Sequence, residues 1–175
     1  MPRRQLSFDP LAEAERNWNE HFGPGRAMAA ATSIMRAQQI VLSTVDDALR
    51  PLGLTFARWE ALVLLSFTKH GEFPLGRMGE RLMVHPTSVT NTIDRLERDG
   101  LVERVPHPTD GRTTLARLTP AGRRLMQRAT ATVEATGYGL GPLGEDEQRE
   151  LFEVIRRLRV AHGDFDEGSP ESRTS

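Results

Sequence analysis

The chain has 175 residues, 38% hydrophobic and 27% charged, with 23 Lys and Arg against 24 Asp and Glu for a net charge of −1, and no cysteine. This length supports one domain or a little more around a buried core, and no apolar run approaches a membrane span. Without cysteine, disulfides, Cys-ligated zinc and thiol-based oxidant sensing are excluded and a cytoplasmic location is favoured; the start Pro2-Arg-Arg-Gln-Leu6 leads into polar residues where a signal peptide needs an apolar segment.

In chain order, Asp9-Pro10 opens a first predicted helix, in which Leu11, Ala14, Glu15, Trp18 and Phe22 follow helical spacing until Gly23-Pro24-Gly25 stops it. A second runs from Arg26 to Leu49 with Ile34, Ala37, Val41, Val45 and Leu49 as its stripe. Thr55 is placed to cap a third, where Phe56, Trp59, Leu62, Val63 and Phe67 turn inward before Gly71. Leu75, Met78 and Leu82 share one face of a two-turn helix, and Met83-Val84-His85 makes the tight connection of a helix-turn-helix.

The following helix starts at Pro86, where a missing N–H costs nothing, and stops at Gly100. Val89, Ile93 and Leu96 recur at i, i+4 and i+7, so Thr87, Ser88, Thr90, Asn91, Asp94 and Arg95 are left on the outer face. Short side chains there allow close approach to a duplex, while Asn91 and Arg95 have the reach and geometry for adenine and guanine edges. The plain alternative is a solvated surface helix. Leu101 to Val105 predicts a strand, Pro106 to Gly111 a turn, and Thr113 to Thr119 a second strand, a hairpin wing with Arg112 near its tip. An exposed guanidinium there suits a narrow minor groove, and Asp110 could hold its fork; the alternative is a surface ion pair that contributes little. Pro120 starts a long helix carrying Leu125, Met126, Ala129 and Val133. After a Gly-rich break, Glu145-Asp-Glu147 favour the start of a final helix striped by Leu151, Val154, Ile155 and Leu158.

Charge is uneven along the chain: between Arg77 and Arg128 ten Arg stand against six acids, so the winged region is the basic part. The predicted fold is mainly α with a small β-hairpin wing, a winged helix-turn-helix domain plus a helical dimerisation region. Residues 1–8 are expected to be disordered, 9–53 to form N-terminal helices for dimerisation and a ligand pocket, and 54–119 to form the DNA-binding domain. Residues 120–163 supply C-terminal dimerisation helices and 164–175 a disordered tail. The terminal helices have more apolar face than one winged domain can cover; covering each other across a dimer is the leading reading, packing within the subunit the other. No esterase elbow, phosphate loop or His-Glu-x-x-His occurs, Gly137 to Gly141 lacks the strand a dinucleotide site needs, and the five His have no ligand spacing. Hence no catalytic residue, cofactor or metal is expected.

Five segments resemble the MarR family, the multiple-antibiotic-resistance regulators: Leu54 to Leu62, His85 to Leu96, Gly100 to Arg104, Asp110-Gly-Arg112 and Leu118 to Gly122. They lie in that family's order and spacing across roughly residues 27–162. The resemblance implies a dimeric repressor or activator with one winged domain per subunit. The family's wing often reads Asp-Arg-Arg, whereas Gly111 stands here in place of the first Arg, so one backbone contact is missing. The expected function is therefore a sequence-specific regulator that binds a pseudo-palindromic operator on double-stranded DNA as a homodimer, most simply a repressor. The DNA contacts are expected from Pro86, Thr87, Ser88, Thr90, Asn91 and Arg95 on the helix and His107, Asp110, Arg112 and Thr113 on the wing. A winged-helix module that binds protein is the alternative, since fold alone does not fix function.

An extra N-terminal helix with Trp18, an acid after the Trp of the third helix (Glu60) and Arg104 at the wing base resemble the urate-responsive branch of the family. That branch commonly has Asp where Glu60 stands and Arg where Thr92 stands. Losing that Arg removes a cation for an anionic ligand, which leaves a different small organic anion, or none, as the effector. Trp18, Glu60 and Arg104 are the candidate lining; the other reading places Trp18 in the dimer core and Arg104 on phosphate.

Overall fold

A computed structural model describes residues 6–166, and the chain divides within its second helix into two compact units, residues 1–43 and 44–175. The first unit holds α1 (Pro10–His21) and the start of α2 (Arg26–Leu49). Asp9 caps α1 by accepting from the Leu11 N–H at 2.9 Å, with Pro10 in the first turn. The connection to α2 is fixed by the Asn19 side-chain oxygen, which accepts from the Gly25 N–H at 2.8 Å, and Trp18 packs on Phe22 with ring centroids 5.0 Å apart. No residue of α1 is buried, and Ile34 and Met35 on α2 are exposed.

The second unit carries the core. Val45 and Leu49 from the end of α2 join α3 (Phe56–Ser66), α4 (Leu75–Leu82), α5 (Pro86–Arg98) and α6 (Pro120–Glu134) around Leu62, Leu65, Met78, Ile93 and Leu96. The predicted inward stripes of α4, α5 and α6 face the core: Met78 and Leu82, then Val89, Ile93 and Leu96, then Met126, Ala129 and Val133 are buried, while Leu75 and Leu125 are partly buried against them. Phe67 differs. It follows the last residue of α3 and is exposed, because the helical repeat that would turn it inward has already ended. Thr55 occupies the N-cap position of α3 without using its hydroxyl; the Phe56 N–H is taken instead by Asp46 of α2, at 2.7 Å.

Three antiparallel strands flank the helices in the order β1 (Glu72–Pro74), β3 (Thr114–Leu118), β2 (Val102–Pro106). The register sets Arg117 opposite both Glu72 and Glu103, so one guanidinium ties all three strands, at 2.9 Å and 3.5 Å. After a short 3-10 turn at Gly137–Gly139 comes α7 (Glu145–Ala161), with Leu151, Phe152, Val154 and Leu158 exposed. Much of the two terminal segments expected to be disordered lies outside the described residues; of the rest, Asp164 accepts from Arg159 at 2.5 Å and the Phe165 ring lies against Arg156 and Arg159. No helix among the described residues is long and apolar enough to cross a membrane.

Candidate nucleic-acid interface

Helix α5 presents its polar face because its apolar face is taken. With Val89, Ile93 and Leu96 fixed in the core, Pro86, Thr87, Ser88, Thr90, Asn91 and Arg95 are all exposed. Thr90 Oγ1 donates back to the Pro86 carbonyl at 3.2 Å. Among the described residues, Asn91 and Arg95 have no side-chain partner. They stand one turn apart, so an amide and a guanidinium are both available on the same face.

The carboxylates of this helix are treated differently. Asp94 and Glu97 both pair with Arg104 on β2, and Asp99, just past the helix end, pairs with Arg58 on α3. The Arg104 backbone N–H also donates to Glu97, at 3.2 Å. Burial works against the Arg104 charge, but the hydrogen bonds and charges of Asp94 and Glu97 outweigh it and hold the guanidinium above its ordinary range. Two consequences follow: part of the negative charge that would repel a phosphate backbone is offset, and the wing's first strand is fastened to α5.

The wing turn is organised by side chains. The His107 N–H donates to the Thr113 carbonyl and the Thr113 N–H to the Asp110 carbonyl, each at 3.0 Å. Asp110 accepts from the Thr113 hydroxyl at 2.7 Å and from the Arg112 backbone N–H at 3.0 Å, and these bonds hold its carboxyl below the ordinary value. Asp110 therefore orders the backbone beneath Arg112 rather than clasping its fork, as the sequence suggested. The Arg112 side chain is exposed and has no ion pair among the described residues.

Of the expected ligand residues, Trp18 belongs to the first unit, and Glu60 and Arg104 to the second. Glu60 is half-buried on α3, and burial raises its carboxyl. Arg104 is already engaged by two carboxylates. A cluster that the sequence did not signal surrounds Trp59, whose Nε1 donates to Thr130 Oγ1 at 3.1 Å and whose ring stands 5.9 Å from Phe56 and 6.4 Å from Tyr138. The pairing of Arg58 with Asp99 was hidden by the sequence distance between them, and the pairing of Arg104 with Asp94 and Glu97 by the turn from helix to strand that separates them. One signal was present: Asp94 and Glu97, three apart, share a helix face.

A helix-turn-helix with a free amide and a free guanidinium on its outer face, ion-paired acids and an ordered wing defines a winged-helix DNA-binding protein. Residues 54–114 match the MarR family model. The fold is similar to the crystal structure of Sco5413, a MarR family transcriptional regulator from Streptomyces coelicolor, with 58% identity and a TM-score of 0.74 over 81% of this chain and 99% of that one. The sequence is 30% identical to the HTH-type transcriptional repressor Rv2887 of Mycobacterium tuberculosis over 71% of this chain and 89% of the relative. CouR from Rhodococcus jostii RHA1, in a crystal structure bound to p-coumaroyl-CoA, is 27% identical with a TM-score of 0.68, over 79% of this chain and 95% of that one. The chain belongs to the MarR family of transcriptional regulators, DNA-binding proteins without enzymatic activity.

Proposed function

We propose that the protein is a repressor that binds a pseudo-palindromic operator as a homodimer and is released by a small organic anion. The observation that carries the DNA half is the contrast on α5: Asn91 and Arg95 have no partner among the described residues, while Asp94 and Glu97 share Arg104 and Asp99 pairs with Arg58, both arginines from other elements. Asn91 and Arg95 read base edges in the major groove; Pro86, Thr87, Ser88 and Thr90 line the approach, and Arg112, supported by His107, Asp110 and Thr113, enters the minor groove. Homodimerisation is supported by the exposed apolar side chains of Phe22 in the first unit and of Leu151, Phe152, Val154 and Leu158 in the second. Two dyad-related α5 helices then enter successive major grooves about 10 base pairs apart.

The effector half rests on Arg104. An anion that competes with Asp94 and Glu97 for its guanidinium unfastens β2 from α5, and it shifts the protein toward a non-binding state only by as much as it prefers that state. The similar regulator CouR was crystallised with p-coumaroyl-CoA, which is why acyl-CoA thioesters join the small acids in the screen below. The test is retention on random duplex DNA across a salt series, followed by a release screen with urate, citrate-like acids, aromatic acids and acyl-CoA thioesters. Steep loss of binding with salt supports the DNA reading through counterion release, and no retention on any duplex favours a protein-binding module instead. Release by an anion that acts equally on Arg104→Met would remove Arg104 from the effector path.

A further inference from the structure

Four histidines have Nδ1 in a hydrogen bond, and they fall into two pairs of opposite chemistry. His21 and His162 stand near helix ends, with Nδ1 2.8 Å and 2.9 Å from the carbonyl oxygens of Asn17 and Leu158. A carbonyl only accepts, so these rings donate through Nδ1. His85 and His107 do the reverse. At His85, the residue before α5, Nδ1 accepts from the Thr87 N–H at 3.2 Å. At His107, in the wing turn, Nδ1 accepts from the N–H groups of Thr109 at 3.3 Å and Asp110 at 3.2 Å, with the Thr109 hydroxyl 3.4 Å away. A backbone N–H only donates, so Nδ1 must carry its lone pair and the ring proton sits on Nε2.

The consequence is a fixed donor. Neither Nε2 has a partner among the described residues, His85 is exposed and His107 is partly so. A ring that could choose its tautomer would serve acceptors and donors alike, including the amino groups of adenine and cytosine. Here the backbone has chosen, and an Nε2–H matches a group that only accepts. In a duplex the acceptor-only group that borders every base step is the phosphate. The two rings belong to the two elements that meet DNA in the reading above, one beside Pro86, Thr87 and Ser88 and one beside Asp110 and Arg112.

We propose that His85 and His107 are phosphate-contacting residues, each donating through an Nε2–H whose position is set by its own backbone. This rests on the DNA-binding reading. It adds a residue, His85, and a charge state: both rings bind neutral, since a proton on Nδ1 would displace the backbone N–H groups it serves.

Two measurements test it. Long-range nitrogen–proton correlation of the histidine rings in the free protein should give the Nε2–H tautomer at His85 and His107. Affinity is then measured on a random-sequence duplex and on a duplex the protein selects from random DNA, across a salt series, for wild type, His85→Ser, His85→Ala and Arg112→Ala. Serine keeps the helix cap but lacks the reach. His85→Ser should keep the wild-type Tm and bind both duplexes about ten-fold more weakly, the scale of one hydrogen bond to a charged group. Because a neutral donor releases no counterion, its salt slope should equal wild type, whereas Arg112→Ala should flatten the slope by about one. Wild-type affinity in His85→Ser, with loss only in His85→Ala, would reduce His85 to a cap and overturn the proposal. So would a His85→Ser loss confined to the selected duplex, or a flattened slope, which would mean a base contact or an imidazolium. If wild type binds no duplex, the DNA-binding reading itself has failed and takes the proposal with it.

Discussion

Asn91, Arg95 and Arg112 are all exposed, yet they are suited to different work. Asn91 and Arg95 project from one face of a helix whose backbone is fixed by three buried residues, so in the proposed complex their distances to base edges would be constrained; Arg112 sits on a turn, where it would meet a groove wall. Asn91→Ala and Arg95→Ala should each lose about 1–3 kcal/mol of discrimination between the preferred and a substituted base pair, read by competition binding, while Arg112→Ala should weaken all duplexes alike. Glu60 allows a prediction about pH. Burial raises its carboxyl in the folded protein, so the unfolded chain loses that proton first as pH rises. Its contribution favours folding at acid pH and is lost as pH rises from the ordinary carboxylate value through the raised one. Glu60→Gln should therefore raise Tm relative to wild type at pH 7, with the difference vanishing below pH 4.

At the scale of elements, the joint between α5, β2 and α6 decides how the reading surface is held. Arg104 fastens β2 to α5 through carboxylates that are partly solvated, so Arg104→Met should cost only about 1 kcal/mol in a denaturant titration, as exposed pairs do. Its effect on DNA should be larger, at least ten-fold on every duplex, because two uncompensated carboxylates then face the phosphates; adding Glu97→Gln should recover part of it. On the other side, α6 approaches the residue before β2 so closely that a Cβ at Gly122 would overlap the Leu101 carbonyl oxygen. Gly122→Ala should destabilise by about 3 kcal/mol, seen as a lower urea midpoint, since neither backbone can yield. The helices were legible in the sequence because Val89, Ile93 and Leu96, or Met126, Ala129 and Val133, repeat over several turns. Strand β1 was not: Glu72-Phe73-Pro74 is too short to show alternation and is defined only by its partner β3. The Arg104 clamp and the His85 cap were equally hidden. Residue type can suggest a cation or a ring, but not which carboxylate or N–H the fold will bring to it.

For the molecule as a whole, the net charge of −1 conceals a division of labour between a basic winged segment and more acidic surroundings. The apolar stripes of the terminal helices were read correctly as stripes, yet Trp18, Phe22, Leu151, Phe152, Val154 and Leu158 stay exposed in the single chain. Sequence periodicity marks a face as apolar without naming what covers it, and a second copy is the cover proposed above. Two copies would also double the reading surface, so deletion of α7 should weaken operator binding as well as association. Hydroxyl-radical footprinting on a duplex the protein has selected from random DNA addresses both at once. Two dyad-related protected segments centred about 10 base pairs apart, with minor-groove protection flanking them, are expected for a dimer carrying two α5 helices and two wings. A single protected segment without dyad symmetry, or uniform weak protection along the duplex, would contradict it.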